Sequence, residues 1–198
     1  PFRVLTLALV ESRPVQPHYL LDPGRESSDF ELAAMEAIRA EAHDRGARIE
    51  APFVQSVQDV PVSREAAEKQ EALAAGYGIG PQYLWLAEYA KQAGVECLEL
   101  CIHVDDRAYS PMSVWQDLCE REEAEPIDAP ESLFRFFSFP LPRTSKLKML
   151  KEARRYGLEN LMELTWFCHR PTRSGRPCGF CNPCRWTAEE GLARRLGP

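Results

Sequence analysis

The sequence has no long hydrophobic run, no internal repeat, no low-complexity tract and no excess of basic residues. A membrane-spanning helix needs about 18 consecutive apolar residues, and no stretch approaches that length. The first ten residues are apolar, but they lack a charged lead-in and a small-residue cleavage site, so they do not predict a signal peptide. We therefore expect a cytoplasmic protein without a membrane partner.

The net charge is −6, from 24 Lys and Arg against 30 Asp and Glu. This balance argues against broad, non-specific binding of nucleic acid. The charge is uneven, however, because residues 168–198 contain six Arg and two Glu and therefore carry +4. The remaining residues then carry −10, and binding of nucleic acid stays open only at the basic C-terminus.

Apolar residues make up 44% of the 198 residues and charged residues 27%, which is the mix of a soluble globular protein. Hydrophobic patterning predicts strands near 2–10, 47–54, 95–104 and 133–139. Helices are expected between them, over Ser28 to Gly46, 63–75, 82–93, 111–121, Ser145 to Gly157 and 187–196. Alternating strands and helices predict an α/β fold with a doubly wound parallel sheet. We expect an α/β domain over 1–165 and a metal-bound module over 166–198.

Seven cysteines are present, and four of them stand close together near the C-terminus. Cys168, Cys178, Cys181 and Cys184 have the spacing C-x9-C-x2-C-x2-C, in which a tight turn can present two sulfurs to one ion. A four-thiolate tetrahedral site leaves no open position, so we predict a structural Zn²⁺. The alternatives are His169 in place of one thiol, and free or redox-active cysteines. The site's formal charge of −2 is expected to be offset by nearby arginines, namely Arg170, Arg173, Arg176 and Arg185.

The cysteine pattern also resembles a family signature. The runs Leu164 to His169 and Cys178 to Arg185 resemble the C-terminus of the 7-cyano-7-deazaguanine synthases of queuosine biosynthesis. Weaker likeness extends upstream, to Phe139-Pro140-Leu141 followed by Ser145-Lys146, and to the helix and strand over residues 31–51. The resemblance begins at the second strand of the family and is specific only in the C-terminal third of the chain.

The resemblance implies a PP-loop fold, similar to that of the adenine-nucleotide alpha-hydrolases. Members of that family use ATP to adenylate a 7-deazaguanine carboxylic acid and ammonia to convert it to a nitrile. Their phosphate loop, Ser-Gly-Gly-x-Asp-Ser, does not occur in these 198 residues, and their Pro-Gly-Arg-Asn segment is replaced over Gly78–Tyr83. ATP and Mg²⁺ are therefore expected as cofactors only if another segment or chain supplies the loop.

A second candidate site follows the third predicted strand. His103, Asp105, Asp106 and Tyr109 stand there, and ligands of open α/β sheets bind beyond the carboxyl ends of strands. The resemblance places a substrate-pocket loop at this position and a family lysine at Lys146. We therefore expect these residues to bind a deazapurine; the alternative is a solvated loop whose acids cap helices and a lysine on the surface.

Two functions from different classes remain. The chain is either a 7-cyano-7-deazaguanine synthase-like protein, inactive or incomplete without the phosphate loop, or a non-catalytic zinc knuckle that binds RNA or a protein. In the first case it is a piece of a full enzyme or a relative that has abandoned ATP, and the changed Gln82-Tyr83 favours the latter. A sheet without its first strand has an exposed edge, so we expect a homodimer, as the family often forms.

Overall fold

A computed structural model describes residues 1–95, 98–121 and 126–197. It divides into two compact units, one formed by Pro1–Ser56 with Leu147–Pro198 and the other by Val57–Lys146. The domain boundary expected at residue 165 stays a prediction.

The described residues form helices and short strands in alternation. The helices are α1 Phe2–Leu5, α2 Ser28–Asp44, α3 Arg64–Tyr77, α4 Gln82–Ala93, α5 Tyr109–Arg121, α6 Lys146–Arg155, α7 Glu159–Glu163 and α8 Asn182–Thr187. The strands are β1 His18–Leu21, β2 Phe53–Ser56, β3 Leu98–Glu99 and β4 Phe137–Ser138. Short segments of π- or 3₁₀-helix cover Thr6–Val10, Val57–Asp59, Pro130–Phe134, Ala188–Leu192 and Ala193–Leu196.

The predicted strand over residues 2–10 is wrong, because this segment is helical. Phe2, Leu5 and Ala8 are buried, and their spacing of three residues places them on one helical face. A short apolar run has no alternation with polar residues, so its pattern cannot separate a buried strand from a buried helix.

The first unit contains a parallel pair of strands, β1 and β2, with His18 opposite Phe53 and Leu21 opposite Ser56. Strand β1 lies inside the proline-containing segment 11–27, outside the four predicted strands. The strand expected over 47–54 begins at Phe53, and Ile49 makes only an isolated bridge to Val15. Helix α2 confirms the helix predicted over Ser28 to Gly46.

The second unit has a core formed by α3, α4, α5 and the 3₁₀ segment Pro130–Phe134. Leu73, Met112 and Phe134 are fully or almost fully buried there. Ser63 begins α3 by accepting a hydrogen bond from the Ala66 N–H at 3.2 Å, and Gly78, with φ +65°, ends it. These cap residues explain why the predicted helices over 63–75 and 82–93 are confirmed within two residues.

The strands expected over 95–104 and 133–139 reduce to β3 and β4, which pair in parallel with Leu98 opposite Phe137. Residues 96 and 97 lie outside the described residues. The part of the predicted strand over 133–134 is wrong, since these residues belong to a 3₁₀ segment that buries Leu133 and Phe134 in the core.

The described residues therefore have a mixed α/β fold with two small parallel sheets of two strands each. The parallel direction of both pairs agrees with the prediction, whereas a single doubly wound sheet is not confirmed. Among the residues that the structure covers, none of the helices combines the length and the apolar character needed to cross a membrane.

Candidate metal centre

Four cysteine sulfurs converge on one point in the first unit. Cys168 follows α7 in an extended segment, Cys178 and Cys181 lie on a turn, and Cys184 lies in α8. All four sulfurs lie within 4.8 Å of one another, and three of the separations are 3.4, 3.9 and 3.9 Å. A Zn–S bond of about 2.3 Å puts the corners of a tetrahedron about 3.8 Å apart. The four thiols can therefore hold a metal ion of the size and preference of zinc.

Backbone geometry directs N–H groups at these sulfurs. The Cys178 N–H donates to Cys168 Sγ at 3.2 Å, and the Cys181 N–H donates to Cys178 Sγ at 3.3 Å. Gly179 makes the turn between them possible, because its φ of +79° lies in the region that residues with a Cβ rarely adopt. The N–H dipoles stabilise negative charge on sulfur, as the outer shell of a thiolate site does.

Burial and these N–H groups shift the pKa values of the thiols in opposite directions. Burial raises the pKa of Cys168, and burial together with a hydrogen bond involving Cys181 raises the pKa of Cys184. At Cys178 the N–H groups of Phe180 and Cys181 outweigh burial and lower the pKa to about 7. One of the four ligand positions thus favours the thiolate form without help from a cation.

His169 is not part of the cluster. Among the described residues, the group of converging ligand atoms consists of the four thiols alone. This favours the four-thiol set over the alternative in which the histidine replaces one cysteine. Burial lowers the pKa of His169, and the nearby Arg25 lowers it further.

The cysteine module, residues 166–187, packs against the start of α2. Trp166 stacks on Phe30 with 4.7 Å between ring centroids, and its Nε1–H donates to the Cys168 carbonyl at 2.6 Å. A Cβ at Gly175 would lie 3.4 Å from Cε1 of the same Phe30 ring. The contact fixes the segment that leads into Cys168.

The last residues of the chain return to the segment that precedes the cysteines. Arg194 and Arg195 both pair with Glu163, and Arg195 also donates to Thr165 Oγ1 at 2.9 Å. The Arg195 guanidinium lies 4.8 Å from the ring centre of Phe167. Two of the six C-terminal arginines therefore stabilise the fold of the module.

The other four arginines have no carboxylate partner among the described residues, and their offsetting of the thiolate charge stays a prediction. Arg170, Arg173, Arg176 and Arg185 are exposed, and within the described part of the chain none of them forms an ion pair. Backbone N–H groups donate to the sulfurs of Cys168 and Cys178. Backbone donors serve here because they reach a buried sulfur without burying a second charge.

The second predicted site is brought together in one loop. His103 Nδ1 lies 3.8 Å from Asp105 Oδ2 and accepts the Asp105 N–H at 3.2 Å. Asp105 Oδ2 also accepts the N–H of Lys146 at 2.8 Å, at the first residue of α6. Asp106 accepts the Ala108 N–H on its side chain and the N–H of Tyr109, at the start of α5, on its carbonyl oxygen.

Both carboxylates of this loop therefore hold the starts of helices, which is the capping role that we left as an alternative. Asp106 also raises the pKa of Tyr83, although the larger cause of that rise is burial. Substrate binding by His103, Asp105, Asp106, Tyr109 and Lys146 stays a prediction.

A hydrogen-bonded network that the sequence did not indicate lies beside the cysteine module. Glu31 accepts from the Tyr19 hydroxyl at 2.8 Å and from the Ser27 hydroxyl at 2.7 Å, and Arg25 lies 3.5 Å from the same carboxylate. Burial and Glu31 together raise the pKa of Tyr19 to about 12. No spacing pattern joins Tyr19 to Glu31, because they meet only when β1 and α2 fold together.

The second unit holds a cavity of about 30 Å³ whose lining includes Lys69, Lys91, Arg135 and the buried Glu88. That volume has room for about two water molecules, so the cavity does not accommodate a nucleotide. The Ser63 hydroxyl and N–H both donate to Glu88, which makes the carboxylate part of the start of α3.

Comparison with known proteins gives one partial similarity. A 58-residue segment is 40% identical to the 7-cyano-7-deazaguanine synthase of Rhizorhabdus wittichii and covers 27% of this chain. The chain spans only about a quarter, 24%, of the length of that curated relative. No protein-family model and no solved structure matches the chain. The chain is therefore partly similar to a 7-cyano-7-deazaguanine synthase, and it carries a cysteine cluster that can bind a metal ion.

Proposed function

We propose that this chain is a 7-cyano-7-deazaguanine synthase-like protein whose four C-terminal cysteines hold one structural Zn²⁺. The observation that carries the proposal is the convergence of Cys168, Cys178, Cys181 and Cys184 within 4.8 Å, in the segment that resembles the family signature. The 58-residue similarity to a synthase supports the same ancestry.

The proposed ion acts on folding and not on the reaction. Four thiolates fill a tetrahedral coordination shell, so no position remains for substrate or water. Bound zinc would join the extended segment at Cys168, the turn at Cys178 and Cys181, and helix α8 at Cys184. A site of this kind contributes its binding free energy to the stability of the segment that it closes.

We further propose that these 198 residues alone do not adenylate a carboxylic acid. Adenylation needs the pyrophosphate leaving group to be held and its charge neutralised. The nearest glycine cluster is Gly76, Gly78 and Gly80, but Gly76 lies inside α3 and the Gly78 N–H donates to the Ala74 carbonyl at 3.0 Å. That N–H caps a helix and is not directed at an anion.

The experiment measures pyrophosphate release from ATP with the 7-deazaguanine carboxylic acid and ammonia. The zinc-loaded chain is compared with a fusion that restores an upstream segment containing Ser-Gly-Gly-x-Asp-Ser. Loss of one oxyanion donor costs about 10²–10³ in rate, so we expect no measurable turnover from the chain without the loop. Turnover only in the fusion supports the synthase-like function and identifies the missing part.

Robust turnover by the 198-residue chain would contradict the proposal that the chain alone is inactive. Absence of turnover in both proteins, together with no binding of the deazaguanine acid by calorimetry, would contradict the synthase-like function itself. A fusion in which Ala replaces both glycines of the restored loop is the matched control. The homodimer and the cytoplasmic location remain part of the proposal, and sedimentation velocity at micromolar concentration tests the former.

The deazapurine site is proposed at the loop of His103, Asp105, Asp106 and Tyr109, next to Lys146. Its support is that both His103 Nδ1 and the backbone nitrogen of Lys146 lie within 4 Å of Asp105 Oδ2. A carboxylate and an imidazole in this arrangement can accept and donate hydrogen bonds to the polar edge of a purine-like ring. The side chain of Asp105 is partly exposed, which leaves it accessible.

A further inference from the structure

The turn between the second and third cysteines carries an exposed aromatic ring. Phe180 lies between Cys178 and Cys181, and 56% of its surface is exposed. The N–H of the next residue, Cys181, donates to Cys178 Sγ at 3.3 Å, so the turn that carries Phe180 is fixed to the cysteine cluster. Trp186, on α8, is 40% exposed. Trp166 of the same module, by contrast, stacks on Phe30.

The same short segment presents four positive charges to solvent. Arg170, Arg173, Arg176 and Arg185 are exposed and form no ion pair within the described part of the chain, whereas Arg194 and Arg195 pair with Glu163. Residues 168–187 contain no Asp or Glu. Even when four thiolates and one divalent cation contribute −2, the module keeps +2 on a chain that carries −6 in total. The fold thus pairs two arginines with a carboxylate and leaves four exposed, of which Arg176 donates through Nε to the Ser174 hydroxyl at 3.4 Å.

Exposed aromatic rings combined with exposed arginines in one short segment are features that single-stranded nucleic acids bind. Bases stack on the rings, because every base has a π-face, and arginines contact the phosphates. We propose that the cysteine module binds a short single strand of nucleic acid, with Phe180 stacking on a base and the four arginines contacting the backbone. The acidic remainder of the chain disfavours a long or duplex ligand. This proposal does not depend on the synthase-like function.

The test titrates fluorescein-labelled 12-nucleotide oligo(U), oligo(dT) and a duplex of the same length with the zinc-loaded chain and records fluorescence anisotropy. We expect both single strands to bind more tightly than the duplex. Each neutralised phosphate of a single strand contributes about −0.7 to the slope of log K against log salt, so four contacts predict a slope of about −3. Tighter binding of oligo(U) than of oligo(dT) would identify RNA as the preferred ligand, and the reverse would identify single-stranded DNA.

Three variants separate stacking from charge. Phe180→Ala is expected to weaken binding about tenfold or more without changing the salt slope, since stacking is worth that much per base. Phe180→Tyr should retain binding. The double variant Arg173→Gln/Arg176→Gln should reduce the magnitude of the slope by about 1.4. Matched controls are Tyr156→Ala, which removes another exposed ring of the same unit, and Arg154→Gln, which removes an exposed arginine paired with Glu159.

The proposal is overturned if no oligonucleotide binds at 50 mM salt while the zinc content is one per chain. It is also overturned if Phe180→Ala binds as tightly as the parent chain, because the attraction is then only electrostatic. Lack of oligonucleotide binding together with a change in sedimentation on Phe180→Ala would instead identify this face as a protein-binding surface.

Discussion

The two candidate sites use their polar side chains in different ways. At the cysteine cluster, four sulfurs point at one position, and the donors around them are backbone N–H groups. In the loop of residues 103–109, the side chain of Asp105 accepts the first N–H of α6 and that of Asp106 accepts the N–H of Ala108, just before α5. The cysteine arrangement has no evident purpose without a ligand, whereas the loop arrangement already stabilises the fold.

This difference shows which sequence signals identify a site. The spacing of two residues between cysteines reflects the geometry of a turn around an ion, and few other structures need it. A histidine and two aspartates after a strand satisfy equally well the need of the next helices for capping groups. The cluster is therefore the stronger of the two candidates, and three substitutions test that ranking.

The largest effect is expected from Cys184→Ser, which removes a fully buried ligand from α8. Zinc content should fall from one per chain towards none, and amide protection should be lost over the last ~30 residues, because the metal supplies folding free energy there. Elemental analysis measures the zinc content, and hydrogen exchange measures the amide protection. The control is Cys119→Ser, whose thiol is exposed and outside the cluster. Full zinc retention by Cys184→Ser would show that the four sulfurs do not bind one zinc ion together.

Trp166→Ala should have a smaller effect, confined to the attachment of the module to α2. The variant loses the stack on Phe30 and the hydrogen bond to the Cys168 carbonyl. We expect a loss of about 2 kcal/mol in the free energy of unfolding, less than for a fully buried Trp. Urea denaturation measures it. Phe180→Ala, which removes an exposed ring of the same module, is the matched control and should change stability by less than about 0.5 kcal/mol. Equal losses in the two variants would contradict the assigned packing.

Asp105→Ala should cost about 1 kcal/mol of stability, because the N–H at the start of α6 loses its acceptor. Asp105→Asn should be nearly neutral, since Asn caps helices as well as Asp does. Thermal denaturation of both variants measures the difference. If the loop also binds the deazaguanine acid, Asp105→Asn should weaken that binding while stability is kept. Equal stability of Asp105→Ala and the parent chain would show that capping is not the role of this carboxylate.

The helices of this protein could be predicted well from its sequence, because their ends carry local signals. Ser63 begins α3, and Gly78 and Gly94 end α3 and α4 with positive φ. Such capping residues act within one turn of the chain. The four metal-ligand candidates could also be predicted, since three of them lie within seven residues of one another.

The strands could not be predicted as well, because they depend on contacts between distant residues. Strand β1 lies between Pro17 and Pro23 and forms by pairing with β2, more than 30 residues away. Cys101 lies inside the strand predicted over 95–104, but it is exposed and follows the end of β3 at Glu99. The network around Glu31 joins β1 to α2 and leaves no pattern in the sequence.

The central claim is that the four thiolates bind one zinc ion, and X-ray absorption at the zinc edge tests it most directly. Purified chain, analysed for metal content in parallel, should contain one zinc per chain with four sulfur neighbours at about 2.3 Å and no nitrogen or oxygen ligand. A zinc-free chain, a disulfide among the four cysteines or a shell containing a histidine nitrogen would contradict the account.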